Sequence, residues 1–283
     1  MTGLDPAEGP RGPWRKVLYD NAGFPDNFTP PECFLAARTF NQNLVLYSRA
    51  QCLAGAARVG TQISDVIIFW CCYNYIKAGD ISPATLLLTT FTISLLGFLL
   101  IVLLVNAGVR KHAWPAIKTT FLFVMTGYAL SPILHNLTES ISTDSIHSMA
   151  ASSFLLHVVS ADYGVTAPLT SWQISLNASV FSSVCLASRL DSHTQAFSLL
   201  SLSVFVFLLL PTTRPLLLST IPWTIITSST SLYLLSTVSI PHTWLALTVL
   251  LVVELLCPLL FHHLQSDKLT IHGPWDEAVP AHS

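Results

Sequence analysis

Few residues in this chain have the chemistry to do more than pack. Glu139 and Asp144 lie five residues apart in the block SPILHNLTESISTDSIH (131–147), with six Ser/Thr hydroxyls and no Lys or Arg. Such carboxylates can serve as general bases, contact a polar ligand or cap a helix. Capping is the simplest reading: Ser142 or Thr143 as N-cap, with Asp144 in the first turn beside the positive helix end. A second group follows in HVVSADYG (157–164), where His157 and Asp162 precede an interfacial Tyr163 and a turn at Gly164. Asn177 falls in the Ser/Ala-rich run SLNASVFSSVCLASRL, closed by Arg189, where small residues allow close helix packing and Asn offers an interhelical hydrogen bond. Asp65 and Glu254 stand alone in apolar surroundings and need a partner or a cavity, as do Asp162, Asn177 and Arg189.

Metal chemistry has little support. No HExxH pattern occurs, and the adjacent His262 and His263 point about 100° apart on a helix. The six cysteines (Cys33, Cys52, Cys71, Cys72, Cys185 and Cys257) form no CxxC and read as small packing residues. No cofactor is implied.

The elements that must position these residues are apolar. The chain is 52% hydrophobic and only 10% charged, with a net charge of -2, which provides no basic surface for nucleic acid. Eight apolar segments of about bilayer-crossing length are expected, at 59–77, 84–106, 116–134, 146–160, 165–187, 196–211, 216–239 and 243–261. The fold class that follows is all-α: a polytopic membrane bundle (59–261) between an N-terminal segment (1–58) and a C-terminal tail (262–283). Pro83, Pro115, Pro211, Pro215 and Pro241 fall at helix ends, while Pro132, Pro168, Pro222 and Pro258 lie in or near apolar runs and predict kinks.

Eight crossings place eleven of the 13 Lys and Arg on one side. These are Arg11, Arg15, Lys16, Arg38, Arg49, Arg58, Arg110, Lys111, Lys118, Arg214 and Lys268; only Lys77 and Arg189 fall on the other. The positive side is cytoplasmic, so both termini are expected there. No cleavable signal peptide is expected, and the first 12 or so residues read as disordered. Residues 34–58 fit an amphipathic cytosolic helix or a plain linker before the first span.

Five blocks resemble one family, the C subunit of phosphatidylinositol N-acetylglucosaminyltransferase. WRKVLYDNAGFPDNF (14–28) is similar to the family's W-x-KVLYE-x-x-x-FPDNY, and SPILHNLTESISTDSIHSM (131–149) to SPVLKTLTESVSTDTIYAM. HVVSADYG, SLNASVFSSVCLASRL (175–190) and IHGPWDEA (271–278) follow in the family's order. The chain departs from the pattern at Asp20, Phe28 and His135-Asn136, where the family commonly has Glu, Tyr and Lys-Thr. The last change removes a positive charge and argues against a head-group role at that position.

The resemblance implies a non-catalytic, multi-pass subunit in the endoplasmic reticulum membrane. Its complex transfers N-acetylglucosamine from UDP-N-acetylglucosamine to phosphatidylinositol, the first step of glycosylphosphatidylinositol (GPI) anchor synthesis. The catalytic A subunit holds the nucleotide site, and the H, P, Q and Y subunits are the other implied partners. The residues agree in one respect: no glycine-rich phosphate loop or Rossmann-like half is visible. Candidates for a lipid head group or for polar packing are Arg110, Lys111, His157, Asp162, Tyr163, Asn177, Glu139 and Asp144. Candidates for docking other subunits are Trp14, Lys16, Tyr19, Phe24, Pro25 and Asp26, with His272, Trp275 and Asp276 in the tail. Two other readings stay open: a membrane transferase acting alone, with Asp162 or Glu139 as base, and a lipid transporter.

Overall fold

A computed structural model describes residues 39–41, 44–104, 141–164, 171–217 and 219–272. The chain divides into two compact units. In the first, β1 (Thr39–Phe40) pairs antiparallel with β2 (Ile271–His272), Thr39 opposite His272 and Phe40 opposite Ile271. Asn41 adopts a left-handed φ of 55°, a conformation Asn tolerates, and its N–H donates to the Thr270 carbonyl at 2.8 Å. The Tyr47 N–H donates to Gln265 Oε1 at 2.9 Å, and Gln265 Nε2 returns a bond to the Tyr47 carbonyl at 2.8 Å. Of the helix considered for residues 34–58, the described part runs from Arg49 onward. Before it, Thr39 and Phe40 satisfy their backbone groups by strand pairing instead.

The second unit is a helical bundle. Its α-helical segments are α1 (Arg49–Ala78), α2 (Pro83–Leu104), α3 (Thr143–Ser160), α4 (Trp172–Ala187), α5 (His193–Ser203), α6 (Leu210–Leu217), α7 (Thr220–Val238), α8 (Ile240–Leu251) and α9 (Cys257–Leu264). Local chemistry fixes the ends. Ser48 with Gln51 and Ser192 with Gln195 form capping boxes, and Ser142 and Ser171 cap α3 and α4. Gly79 closes α1 with φ 82°, a left-handed cap that glycine adopts without strain.

Proline shapes the two long composite helices. Val204–Leu209 and Val252–Leu256 are π-helical, so α5 runs into α6, and α8 into α9, without a break in the helix. The Leu210 N–H reaches back to Phe205, and that of Cys257 to Val252. Pro211 and Pro258 follow at once; a proline has no N–H for the carbonyl four residues back and crowds it, and the wider turn relieves that crowding.

Among the described residues, three helices are long and apolar enough to cross a membrane: Arg49–Ala78, His193–Arg214 and Ile240–Asp267. Pro83–Leu99 is a shorter apolar helix, and the span expected at 116–134 lies outside the described residues. The outer surface is apolar, and many of the buried side chains are polar. Asp65, Ser64, Ser179, Ser182, Ser183, Ser198 and Ser231 are buried, while Leu88, Phe91, Leu96, Ile225, Trp244 and Leu245 are exposed. Lipid solvates the latter and offers nothing to the former.

Side-chain pairs set the helix directions. Thr61 meets Thr224 and Ser64 meets Ser228, so α1 and α7 run parallel. Gln195 reaches the Ile76 carbonyl while Arg214 reaches Asp65, so α5 and α6 run against α1. The apolar centre is a triangle of Phe69, Phe154 and Phe207, with ring centroids 5.3 to 5.8 Å apart.

Candidate functional site

The most concentrated polar chemistry lies along one side of α1. Its sequence spaces Ala57, Gly60, Thr61, Ser64 and Asp65 three and four residues apart, which aligns them on one face. The hydroxyls of Thr61 and Thr224 lie 2.8 Å apart, and Thr224 also donates to the Ala57 carbonyl at 3.0 Å. One turn on, Ser64 lies 3.1 Å from Ser228, which donates to Glu254 Oε1 at 2.8 Å. Glu254 crosses directly over Gly60: a methyl added there would come within 2.6 Å of its Cγ and 2.7 Å of its Cδ. Only glycine lets the carboxylate reach Ser228.

Asp65 ends this row in an ion pair, with Arg214 Nη2 2.5 Å from its Oδ2. The aspartate side chain is 1% exposed and the arginine side chain 14%. The Arg214 guanidinium carbon also stands 5.8 Å from the centre of the Trp223 ring, within cation–π range. Buried charges need such partners, and removing one leaves the other stranded.

A second row joins α3, α4 and α5. His157 Nδ1 lies 3.0 Å from the Ser175 carbonyl and 2.8 Å from its hydroxyl, while that hydroxyl donates to the His157 carbonyl. A carbonyl only accepts, so Nδ1 carries the proton. The imidazole and the Phe207 ring stand edge-to-face with centroids 5.0 Å apart. Ser182 donates to the Ala150 carbonyl, and Ser203 to Ser183 at 2.7 Å.

At the end of α3 the chain turns under Arg58, whose Nη1 donates to the Tyr163 carbonyl at 2.6 Å. Asp162 Oδ1 accepts from the Gly164 N–H at 2.8 Å, and Gly164 takes φ 79°. Burial pushes the Tyr163 hydroxyl up to about 12, and it donates to the Val158 carbonyl at 2.5 Å.

The candidates from sequence are thus dispersed. His157 is buried and bonded within the bundle, away from any surface where a head group could reach it. Asp162 is exposed and occupied with its turn; Asp144 is exposed in the first turn of α3, behind the Ser142 cap. Among the described residues Asn177 has no interhelical hydrogen bond. It is exposed, because it sits about 200° around α4 from Ser175, and the buried serines make the bonds instead. Cys257 is exposed, whereas Cys71 and Cys185 are buried. The His272 backbone pairs with Thr39. Arg110, Lys111, Glu139, Trp14, Lys16, Tyr19, Phe24, Pro25, Asp26, Trp275 and Asp276 lie outside the described residues. Among the described residues no three His, Cys, Asp or Glu side chains gather as a metal site would require.

Sequence reasoning misses Gly60, Arg58 and Trp223. Gly60 carries a signal: glycine inside a helix is unfavourable unless something approaches closely. Arg58 and Arg214 read only as flanking charge, since their partners are 105 and 149 residues away.

Comparison with known proteins supplies what geometry does not. A family described as phosphatidylinositol N-acetylglucosaminyltransferase (GPI2) matches residues 14–276. The C subunit of mouse phosphatidylinositol N-acetylglucosaminyltransferase is 34% identical over 278 residues, 95% of this chain and 93% of its own length. The human protein of the same name is 34% identical over 275 residues, 94% of this chain and 92% of its own. The fission yeast GPI2 subunit is 28% identical over 282 residues, 95% and 87% respectively. No solved structure matches the chain. The chain belongs to the C-subunit (GPI2) family of phosphatidylinositol N-acetylglucosaminyltransferase.

Proposed function

We propose that this chain is a membrane subunit of the complex that transfers N-acetylglucosamine from UDP-N-acetylglucosamine to phosphatidylinositol, in the first step of GPI-anchor synthesis. The observation that carries this reading is the family match over residues 14–276, nearly the whole chain. In this reading the chain is non-catalytic: it holds the complex together and presents the lipid acceptor, while the catalytic A subunit performs the transfer beside the H, P, Q and Y subunits. The chain lies in the endoplasmic reticulum membrane with eight crossings and both termini cytosolic.

The helix directions support that topology. Arg58 and Tyr163 meet toward one end of the bundle, and Arg214 pairs with Asp65 two turns further along α1. Toward the other lie Lys77, beside Tyr73 and His147, and Arg189, which donates to the Ile141 carbonyl. The grouping agrees with the charge asymmetry of the sequence. The polar rows support a scaffold, because Thr61, Ser64, Asp65, His157 and Ser183 each bond to a neighbouring helix rather than converging on a cleft.

Complementation tests the reading. Cells lacking their own C subunit and expressing this chain regain surface GPI-anchored protein; continued absence of that protein, with the chain present in the membrane, overturns it.

A further inference from the structure

Glu254 is a carboxylate in the middle of an apolar helix. The helix Ile240–Asp267 has 28 residues, so Glu254 lies about 20 Å from either end, near the centre of a bilayer. Its Oε1 accepts from Ser228, but Oε2 has no hydrogen bond among the described residues, and the side chain is half-buried. Around it the helix offers no polar neighbour. Leu251, Leu255 and Leu256 are each about half exposed, and Cys257 is exposed.

The backbone here is unusual as well. Glu254 sits inside the π turn Val252–Leu256, none of whose residues is buried. π turns occur at functional positions because the widened turn re-aims side chains. Glycine at position 60 lets the carboxylate lie across α1 with one oxygen turned inward to Ser228. The other oxygen is left without a donor among the described residues. Acyl chains provide no donor for it, so an intramembrane acid in this position calls for a partner.

We propose that Glu254 is the docking point for a transmembrane helix of another subunit of the complex, one that presents a hydrogen-bond donor at mid-bilayer depth to Oε2. The partner's helix lies against Leu251, Leu255 and Cys257, where the apolar surface around the acid is open. The proposal rests on the reading of this chain as a complex subunit, and its test separates the two.

The complex is purified through this chain with a photo-reactive residue in place of Leu251 or Leu255, positions whose side chains face outward and leave the fold undisturbed. The expected product is a crosslink to a second, different subunit. In parallel, Glu254→Leu is expected to retain that subunit about three- to thirty-fold less well than wild type in detergent washes, the range for one intramembrane hydrogen bond. Glu254→Gln, whose amide can donate its N–H to Ser228 Oγ and turn its oxygen to the partner's donor, is expected to retain it. Crosslinks to lipid alone, to another segment of this chain, or to a second copy of it, overturn the docking proposal. Because the crosslinking chain keeps Glu254, its result stands even where the Glu254→Leu variant misfolds. If the complex co-purifies while the crosslinks go only to lipid, the docking site falls and the subunit reading stands; if no other subunit co-purifies with the wild-type chain, both fall.

Discussion

Replacing Arg214 by Met removes the partner of Asp65 while keeping an unbranched apolar side chain. Asp65 is 1% exposed, so no water reaches it to replace the lost bond. Removing one member of a buried pair costs about 3–5 kcal/mol. Arg214 keeps 14% of its side chain exposed, which places the expected loss near the low end, about 3 kcal/mol. Loss of the cation–π contact with Trp223 adds about 0.5–1 kcal/mol. The double replacement Asp65→Leu with Arg214→Met leaves no stranded charge and is expected to recover most of the loss, giving a coupling energy of about 2 kcal/mol. Thermal unfolding of the detergent-solubilised chain, followed by intrinsic fluorescence across the four-member cycle, reads these differences. An Arg214→Met variant as stable as wild type, or a double variant no better than the worse single, would refute the argument that this pair is a buried structural tie.

Four further outcomes follow from the geometry. Gly60→Ala is expected to lower stability by about 1–3 kcal/mol, since the new methyl meets the Glu254 side chain; the unfolding temperature measures it. Gly164→Ala must hold φ 79° and would place Cβ 2.7 Å from Arg58 Nη1, so a loss of about 1–2 kcal/mol is expected, also read by thermal unfolding. Ser142→Ala removes the α3 cap and is expected to cost about 1 kcal/mol, visible as faster hydrogen exchange in the first turn of α3. Tyr163 is held protonated to about 12 in the folded chain against 10.0 in the unfolded one, so its contribution is intact below pH 10 and lost as pH rises to 12. The stability difference between wild type and Tyr163→Phe should shrink across that window, and a constant difference would contradict the burial of the hydroxyl.

Much of the bundle is legible in the sequence because its signals are local. Serines at positions 48, 142, 171 and 192 start helices, and Gly79 ends one. Charge-free runs such as Ala84–Leu99 give the apolar helices by length alone. Pro258 hints at irregular helix, while Pro211 reads as a helix end and instead lies within a continuous helix; neither proline reveals that the relief takes π form. The stretch before Ser48 can be read as helix from its own residues, yet Thr39, Phe40 and Tyr47 bond to Gln265, Ile271 and His272 at the other end of the chain. Such distant partners leave no local mark.

The polar rows are half legible. Asp65 and Glu254 stand out as isolated charges, but their partners cannot be read, since helix pairing is a long-range property. Arg214 looks like a loop cation, and Ser64 and Ser228 look like ordinary small residues. Asn177 draws notice as the strongest hydrogen-bonding side chain in α4, yet its angular position points it away from the serines that pack. A stripe of Ser175, Ala178, Ser179, Ser182 and Ser183 at three- and four-residue spacing marks the buried face, with Asn177 off it.

In the proposed role this chain supports a transfer carried out by a partner. The direct measurement is N-acetylglucosamine transfer to phosphatidylinositol in proteoliposomes, with the purified chain alone and with the chain added to a complex that lacks its C subunit. No product is expected from the chain alone, and restored synthesis when it joins the others. Glycosylated lipid formed by the isolated chain would contradict that role.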